Sequence, residues 1–229
     1  MPIGWSRGSL LGSVQRLFED GTVVGAGEVQ LLQRFVAHRD EAAFETIMRS
    51  HGPMVLGVCR RVLHDPHDAE DAFQATFLIL ARKAGTIRDR EVLGSWLFGV
   101  AYRVAYRARI VANRSRRQVR TGLEEMPAAG AIDTIERREL RSALDEEINR
   151  LPEHHRAPIV LHYLEGRTHA EIAEQLLCPV GTVHSRLTRA RERLRDRLTR
   201  RGLDPGLPWA SLPRESEPSA AGTCWSASK

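Results

Sequence analysis

Aromatic residues make up only 6% of this 229-residue sequence, and it contains three cysteines. With few aromatics and no alternating β-branched runs, strands have little to build on. The 42% of hydrophobic residues instead suits small helical cores. Cys59, Cys178 and Cys224 are odd in number, scattered and in no C-x-x-C pair. That excludes a disulfide framework and a zinc knuckle, and fits a reducing compartment. No run approaches the roughly 20 apolar residues of a membrane span. The N-terminus has no apolar core followed by a cleavage site, so no secretory signal is read. The expectation is a cytoplasmic protein with no membrane contact. No cluster of acids and no activated nucleophile stands in a basic setting, so catalytic residues are none and an enzyme is not indicated. His154, His155 and His162 have no carboxylate or thiol at ligand spacing, so no metal and no cofactor are expected.

What is abundant is arginine, unevenly placed. The formal charge is only +5, weak evidence alone for a polyanion partner. Ala101 to Arg120, however, holds seven arginines and no acid, and Val180 to Gly202 holds eight against Glu192 and Asp196. The second block belongs to two helices joined by a tight turn. Thr168 caps the first, which carries Ile172, Ala173 and Leu176. Leu177-Cys178-Pro179 stops it, because proline has no N–H to donate and restricts the residue before it. The next helix shows one narrow apolar stripe of Val183, Leu187, Ala190, Leu194 and Leu198. At about 100° per residue, Thr182, Ser185, Thr188, Arg189 and Glu192 fall opposite, with His184, Arg186 and Arg191 on the flanks. Hydroxyls and guanidinium groups at a helix N-terminus suit phosphates and base edges in a major groove. The pattern is a helix-turn-helix.

In chain order, residues 1–27 read as a flexible lead-in. A helical face begins with Val29, Leu31, Leu32, Phe35 and Val36. Asp40 caps a second helix, which Gly52-Pro53 is expected to interrupt or bend, and Cys59 falls on its apolar side as a buried thiol. Asp65 as N-cap and Pro66 at the first helical position open a helix with a core face of Ala69, Ala72, Phe73, Thr76, Phe77 and Leu80. Asp68 and Asp71 near its start satisfy the helix dipole and need no partner on that ground alone. After a loop at 86–91, a helix from Val92 to Asn113 interleaves Trp96, Phe98, Tyr102 and Tyr106 with Arg103, Arg107 and Arg109. Such a face can stack unstacked bases and hold a backbone. Aromatics at helical spacing are equally what a core contains. Residues 114–137 lose the apolar period and read as a flexible linker. It divides an all-α chain into two small helical domains, 28–113 and 138–202, the second with Pro158 expected to kink or split a helix. Residues 203–229, rich in Pro, Ser and Gly, read as a disordered tail.

Two segments together resemble a bacterial sigma factor of the extracytoplasmic-function, sigma-70-like type. One is Asp68-Ala69-Glu70-Asp71-Ala72-Phe73-Gln74-Ala75-Thr76-Phe77 with Ser95-Trp96-Leu97-Phe98-Gly99-Val100-Ala101. The other is Leu151-Pro152, Tyr163-Leu164-Glu165-Gly166, Ala170-Glu171-Ile172-Ala173 and Pro179-Val180-Gly181-Thr182-Val183-His184-Ser185-Arg186-Leu187. The resemblance implies that the first domain is region 2, binding the β′ clamp helices of core RNA polymerase through Asp68, Asp71, Gln74 and Phe77. It implies that Trp96, Tyr102, Arg103 and Arg107 hold the melted minus-ten strand. The second domain is then region 4, facing the β flap and reading the minus-thirty-five element through Thr182, His184, Ser185, Arg186, Arg189 and Arg191. Core RNA polymerase and promoter DNA follow as partners, with room for an anti-sigma factor. Leu177 departs from the family, whose turn usually has glycine there. A dimeric helix-turn-helix regulator is the alternative, and it demands a two-fold DNA site bound without polymerase.

Overall fold

The computed structural model describes residues 27–63, 65–87, 92–119 and 131–203, and within these the side chains of all but 115–119 and 131–138. Among the described residues the regular structure is helical, with no strand. The α-helices are α1 (Glu28–His38), α2 (Glu41–Val62), α3 (Pro66–Lys83), α4 (Leu93–Val119), α5 (Ala131–Asn149), α6 (Glu153–Ile159), α7 (His169–Gln175) and α8 (Val180–Arg200). A 3₁₀ turn at Ala84–Thr86 follows α3, and a π turn at Val160–Leu164 follows α6.

The first four helices pack around α2. Asp40 caps it, its carboxylate accepting from the Ala43 N–H at 3.1 Å. From Met54 to Cys59 every residue is buried, as befits a helix with neighbours on all sides. The interruption allowed for at Gly52-Pro53 does not occur: α2 continues through Pro53. An interior proline costs about 3 kcal/mol. Burying Met54, Val55, Leu56 and Val58 at about 1.5–3 kcal/mol each outweighs it. Cys59 is fully buried, and burial pushes its thiol up to about 12, so it packs and does not react. Asp65 caps α3 as its sequence demanded, accepting from the N–H groups of His67 and Asp68 at 2.9 and 3.1 Å.

In the second half, α7 opens on a reciprocal cap. Thr168 Oγ1 accepts from the Glu171 N–H at 3.3 Å, and Glu171 accepts from the Thr168 N–H at 2.7 Å. Ile172 and Ala173 of α7 and the whole stripe Val183, Leu187, Ala190, Leu194 and Leu198 of α8 are buried. Leu177 in the turn between them takes φ 49° and is 92% exposed. After Pro158 the helix widens, and the Glu165 N–H reaches back to the Val160 carbonyl at 3.1 Å. Pro158 takes one N–H out of the ladder just before this π turn.

Helical backbone also covers both ends of the stretch read as a linker, since α4 continues to Val119 and α5 begins at Ala131. Arginine and glutamine propagate a helix already nucleated by packing, even without an apolar period. Residues 120–130 lie outside the described residues, as do 1–26 and the tail from 204, so the lead-in and tail readings lie there too.

The two halves touch. Arg109 of α4 donates to Ser142 of α5 at 2.8 Å, and Arg156 of α6 donates to Ser95 of α4 at 3.1 Å. Buried residues from Leu31 to Leu194 form one continuous cluster. The sequence offers no sign of this contact.

Candidate nucleic-acid interface

The outward face of α8 combines the groups a duplex would meet. His184, Thr188 and Arg189 are exposed, while Thr182, Ser185, Arg186 and Arg191 are half-buried. Ser185 and Thr188 satisfy their hydroxyls on the carbonyls of Thr182 and His184, at 3.0 and 3.1 Å, and can still accept. Not every arginine of the block is free. Arg191 lies over the Tyr163 ring at 5.8 Å, so part of its role is to pack. Arg197 pairs with Glu147 at 3.2 Å, and Arg201 pairs with Glu146 at 2.8 Å and Glu147 at 2.6 Å. The Arg201 hydrogen bond holds the Glu146 carboxyl below its usual range. These C-terminal arginines fasten α8 to α5, which the one-dimensional charge count could not reveal.

On α4, Arg103 and Arg107 are exposed and Trp96 is half-buried. Tyr102 differs from expectation. It is 5% exposed, and burial pushes its hydroxyl up to about 12, with the Glu146 charge adding to the rise. The aromatic that does reach the surface is Tyr106, 37% exposed, stacked on Tyr102 at 5.8 Å and covered by Arg109 at 5.1 Å. Positions 95, 98, 102, 105 and 109 share one side of the helix at about 100° per residue. The second half of the chain meets that side through Arg156 and Ser142.

On α3, Asp71 is exposed and Gln74 is half-buried. Asp68 lines a cleft of about 650 Å³ with Asp65, Tyr106, Arg109, Glu139 and Glu146. Phe77 departs from this face: it is 3% exposed and packs against Phe73 and Phe44, ring centroids 5.0 and 6.3 Å apart. Of the histidines set aside in the sequence, His154 is exposed. His155 is buried, its pKa lowered by burial and then by His154, and His162 Nδ1 lies 2.9 Å from the Arg167 carbonyl. Among the described residues, the group with liganding spacing is Glu28, His51 and Glu165, their atoms within 4.8 Å of one another.

Residues 47–120 match the family Sigma-70 region 2, and residues 141–194 match Sigma-70, region 4. The RNA polymerase sigma-H factor of Pseudomonas aeruginosa is 31% identical over 173 residues, covering 71% of this chain and 89% of that protein. The ECF RNA polymerase sigma-E factor of Salmonella typhimurium is 30% identical over 173 residues, covering 71% and 90%. The chain is an extracytoplasmic-function sigma factor. Among solved structures it is similar to the Rhodobacter sphaeroides SigE in complex with the anti-sigma ChrR, with 27% identity, 75% of this chain and 98% of that chain covered, and a TM-score of 0.32. As a sigma factor it is a transcription initiation factor, acting with core RNA polymerase and promoter DNA. The helix-turn-helix of α7 and α8 lies within or directly beside its region 4 match, and α3 and α4 lie within its region 2 match. Among the described residues no helix is long and apolar enough to cross a membrane.

Proposed function

We propose that this sigma factor recruits core polymerase through α3, reads the minus-thirty-five duplex through α8 and holds the melted minus-ten strand along α4, with no catalysis of its own. Residues 28–113 act as the region 2 unit and 138–202 as the region 4 unit, in the cytoplasm. Asp68, Asp71 and Gln74 are the polymerase contacts, with Phe77 supporting them from the core. Arg103, Arg107 and Trp96 face the strand, joined by Tyr106, while Tyr102 is available only once its cover moves. An anti-sigma protein is the inhibitor the class leads one to expect.

The observation that carries this reading is the two-faced character of α8. One face is a fully buried stripe, and the other presents His184, Ser185, Thr188 and Arg189 from its N-terminal half. Transcription by purified core polymerase on a promoter library tests it. The added protein should direct initiation to a subset sharing two spaced elements. Polymerase-independent binding to a two-fold site would put the dimeric regulator in its place.

A further inference from the structure

The two halves also meet at a buried polar cluster. His51, midway along α2, is fully buried. Its Nδ1 lies 2.8 Å from Oε1 of Glu165, in the turn before α7, and its Nε2 lies 3.8 Å from Oε1 of Glu28, the first residue of α1. Arg167 stands 3.5 Å from the same Glu28 oxygen, and Gln175 of α7 donates to the other at 2.8 Å. The Glu165 carboxylate rests against α4 at Gly94, where a Cβ would overlap it. Thus α1, α2 and α4 enclose groups supplied by the second half.

Charge decides what the cluster holds. Two carboxylates and one guanidinium leave one negative charge in excess. A protonated imidazole brings the sum to zero, whereas a divalent cation beside a neutral imidazole overshoots to a net positive charge. Buried charge is tolerated where it is compensated, and both Glu28 oxygens already face Arg167 or Gln175. We propose that protonated His51 is a clasp holding region 4 closed over α4, and that loss of this proton opens the chain.

The electrostatics agree with the geometry. Burial alone would lower the His51 pKa, but the charge and hydrogen bond of Glu165 and the charge of Glu28 outweigh burial and Arg167, and the net direction is upward. A raised histidine contributes its full stabilisation below the ordinary value of about 6.5 and loses it as pH rises through the raised one. The Glu28 carboxyl is also raised, chiefly by burial. On the acid side it takes up a proton and its attraction for His51 ends. The clasp is therefore strongest between those two titrations. At 3.8 Å the Nε2–Glu28 attraction is between charges, with no hydrogen bond. While closed, the chain keeps Ser95 and Tyr102 buried. A covered α4 cannot hold DNA, and this inhibitory consequence rests on α4 being the strand-holding helix, but the closure does not.

Small-angle scattering of the full chain from about pH 6 to about pH 9.5, across and above the ordinary histidine range, tests the clasp, with far-UV circular dichroism in parallel. Wild type should expand as pH rises while its helicity stays constant. His51→Gln should lose that step, and His154→Gln, an exposed imidazole, should keep it. If His51→Gln loses helicity, Glu165→Gln carries the test, because removing that charge must move the step to lower pH. A wild-type radius constant across the range, a step surviving in His51→Gln, or one unmoved in Glu165→Gln overturns the proposal. Compaction by Zn²⁺ at fixed neutral pH that requires His51 also overturns it, since a metal would then hold the cluster. Scattering reads closure whether or not the chain binds polymerase, so failure here leaves the initiation reading standing.

Discussion

Arg61 of α2 grips Asp145 of α5 across 84 residues of sequence, Nε to Oδ2 at 2.8 Å and Nη2 to Oδ1 at 3.2 Å. The Asp145 side chain is only 3% exposed. Removing one partner of such a pair costs about 3–5 kcal/mol if the other stays buried. Here there is an escape, because lifting α5 off α2 returns Asp145 to water. Arg61→Ala should therefore loosen the contact between the halves. Amide exchange should quicken along α5 and stay slow in the Val55–Cys59 core of α2. Uniform acceleration would show that the pair supports the whole fold instead.

Leu177 occupies left-handed backbone with its side chain in solvent. That conformation costs a non-glycine residue about 1–2 kcal/mol, and glycine's extra unfolded-state entropy returns part of any gain. Leu177→Gly should stabilise the chain by about 0.5–1 kcal/mol in denaturant unfolding, because there is no buried contact to lose. The sequence marks this position as a departure from the family's glycine, and the positive φ supplies the reason for that glycine.

Arg189 and Arg201 separate charge left at the surface, where DNA could meet it, from charge that holds the fold. Arg189 is exposed on the outward face, whereas Arg201 is committed to Glu146 and Glu147. For polymerase-bound protein on its promoter, Arg189→Ala should lower the salt slope by about 1 if it meets a phosphate. If it meets a guanine edge, it should cost about 1–3 kcal/mol with relaxed specificity there. Arg201→Ala should leave the slope unchanged. Equal losses from both would remove the distinction.

What was legible in the sequence depended on distance along the chain. The caps at Asp40, Asp65 and Thr168 close within three residues, so residue type and position suffice to place them. The stripe of α8 is equally local. Pro53 misled because the burial that carries α2 past it comes from other helices. Phe77 belongs to the core face that also holds Phe73, and the family's partner role drew it outward. Tyr102 and Tyr106 are four residues apart and look alike in sequence. Tyr102 is buried in the field of Glu146 and Asp145 of α5 while Tyr106 stays 37% exposed, a difference set by a distant helix. His51 went unmarked because its partner Glu165 lies 114 residues away.

The proposed function makes this chain a dissociable subunit of RNA polymerase, engaged through the exposed side of α3. Titration of purified core polymerase with wild type, Asp71→Ala and Gln74→Ala tests it most directly. Wild type should form a tight complex that Asp71→Ala weakens about tenfold or more. A hydrogen bond to a charged group is worth about 1.5–3 kcal/mol, and each 1.4 kcal/mol is a factor of ten. Gln74→Ala should weaken it by a smaller factor. No wild-type complex, with the same protein binding palindromic duplex DNA unaided, would make it a dimeric regulator instead.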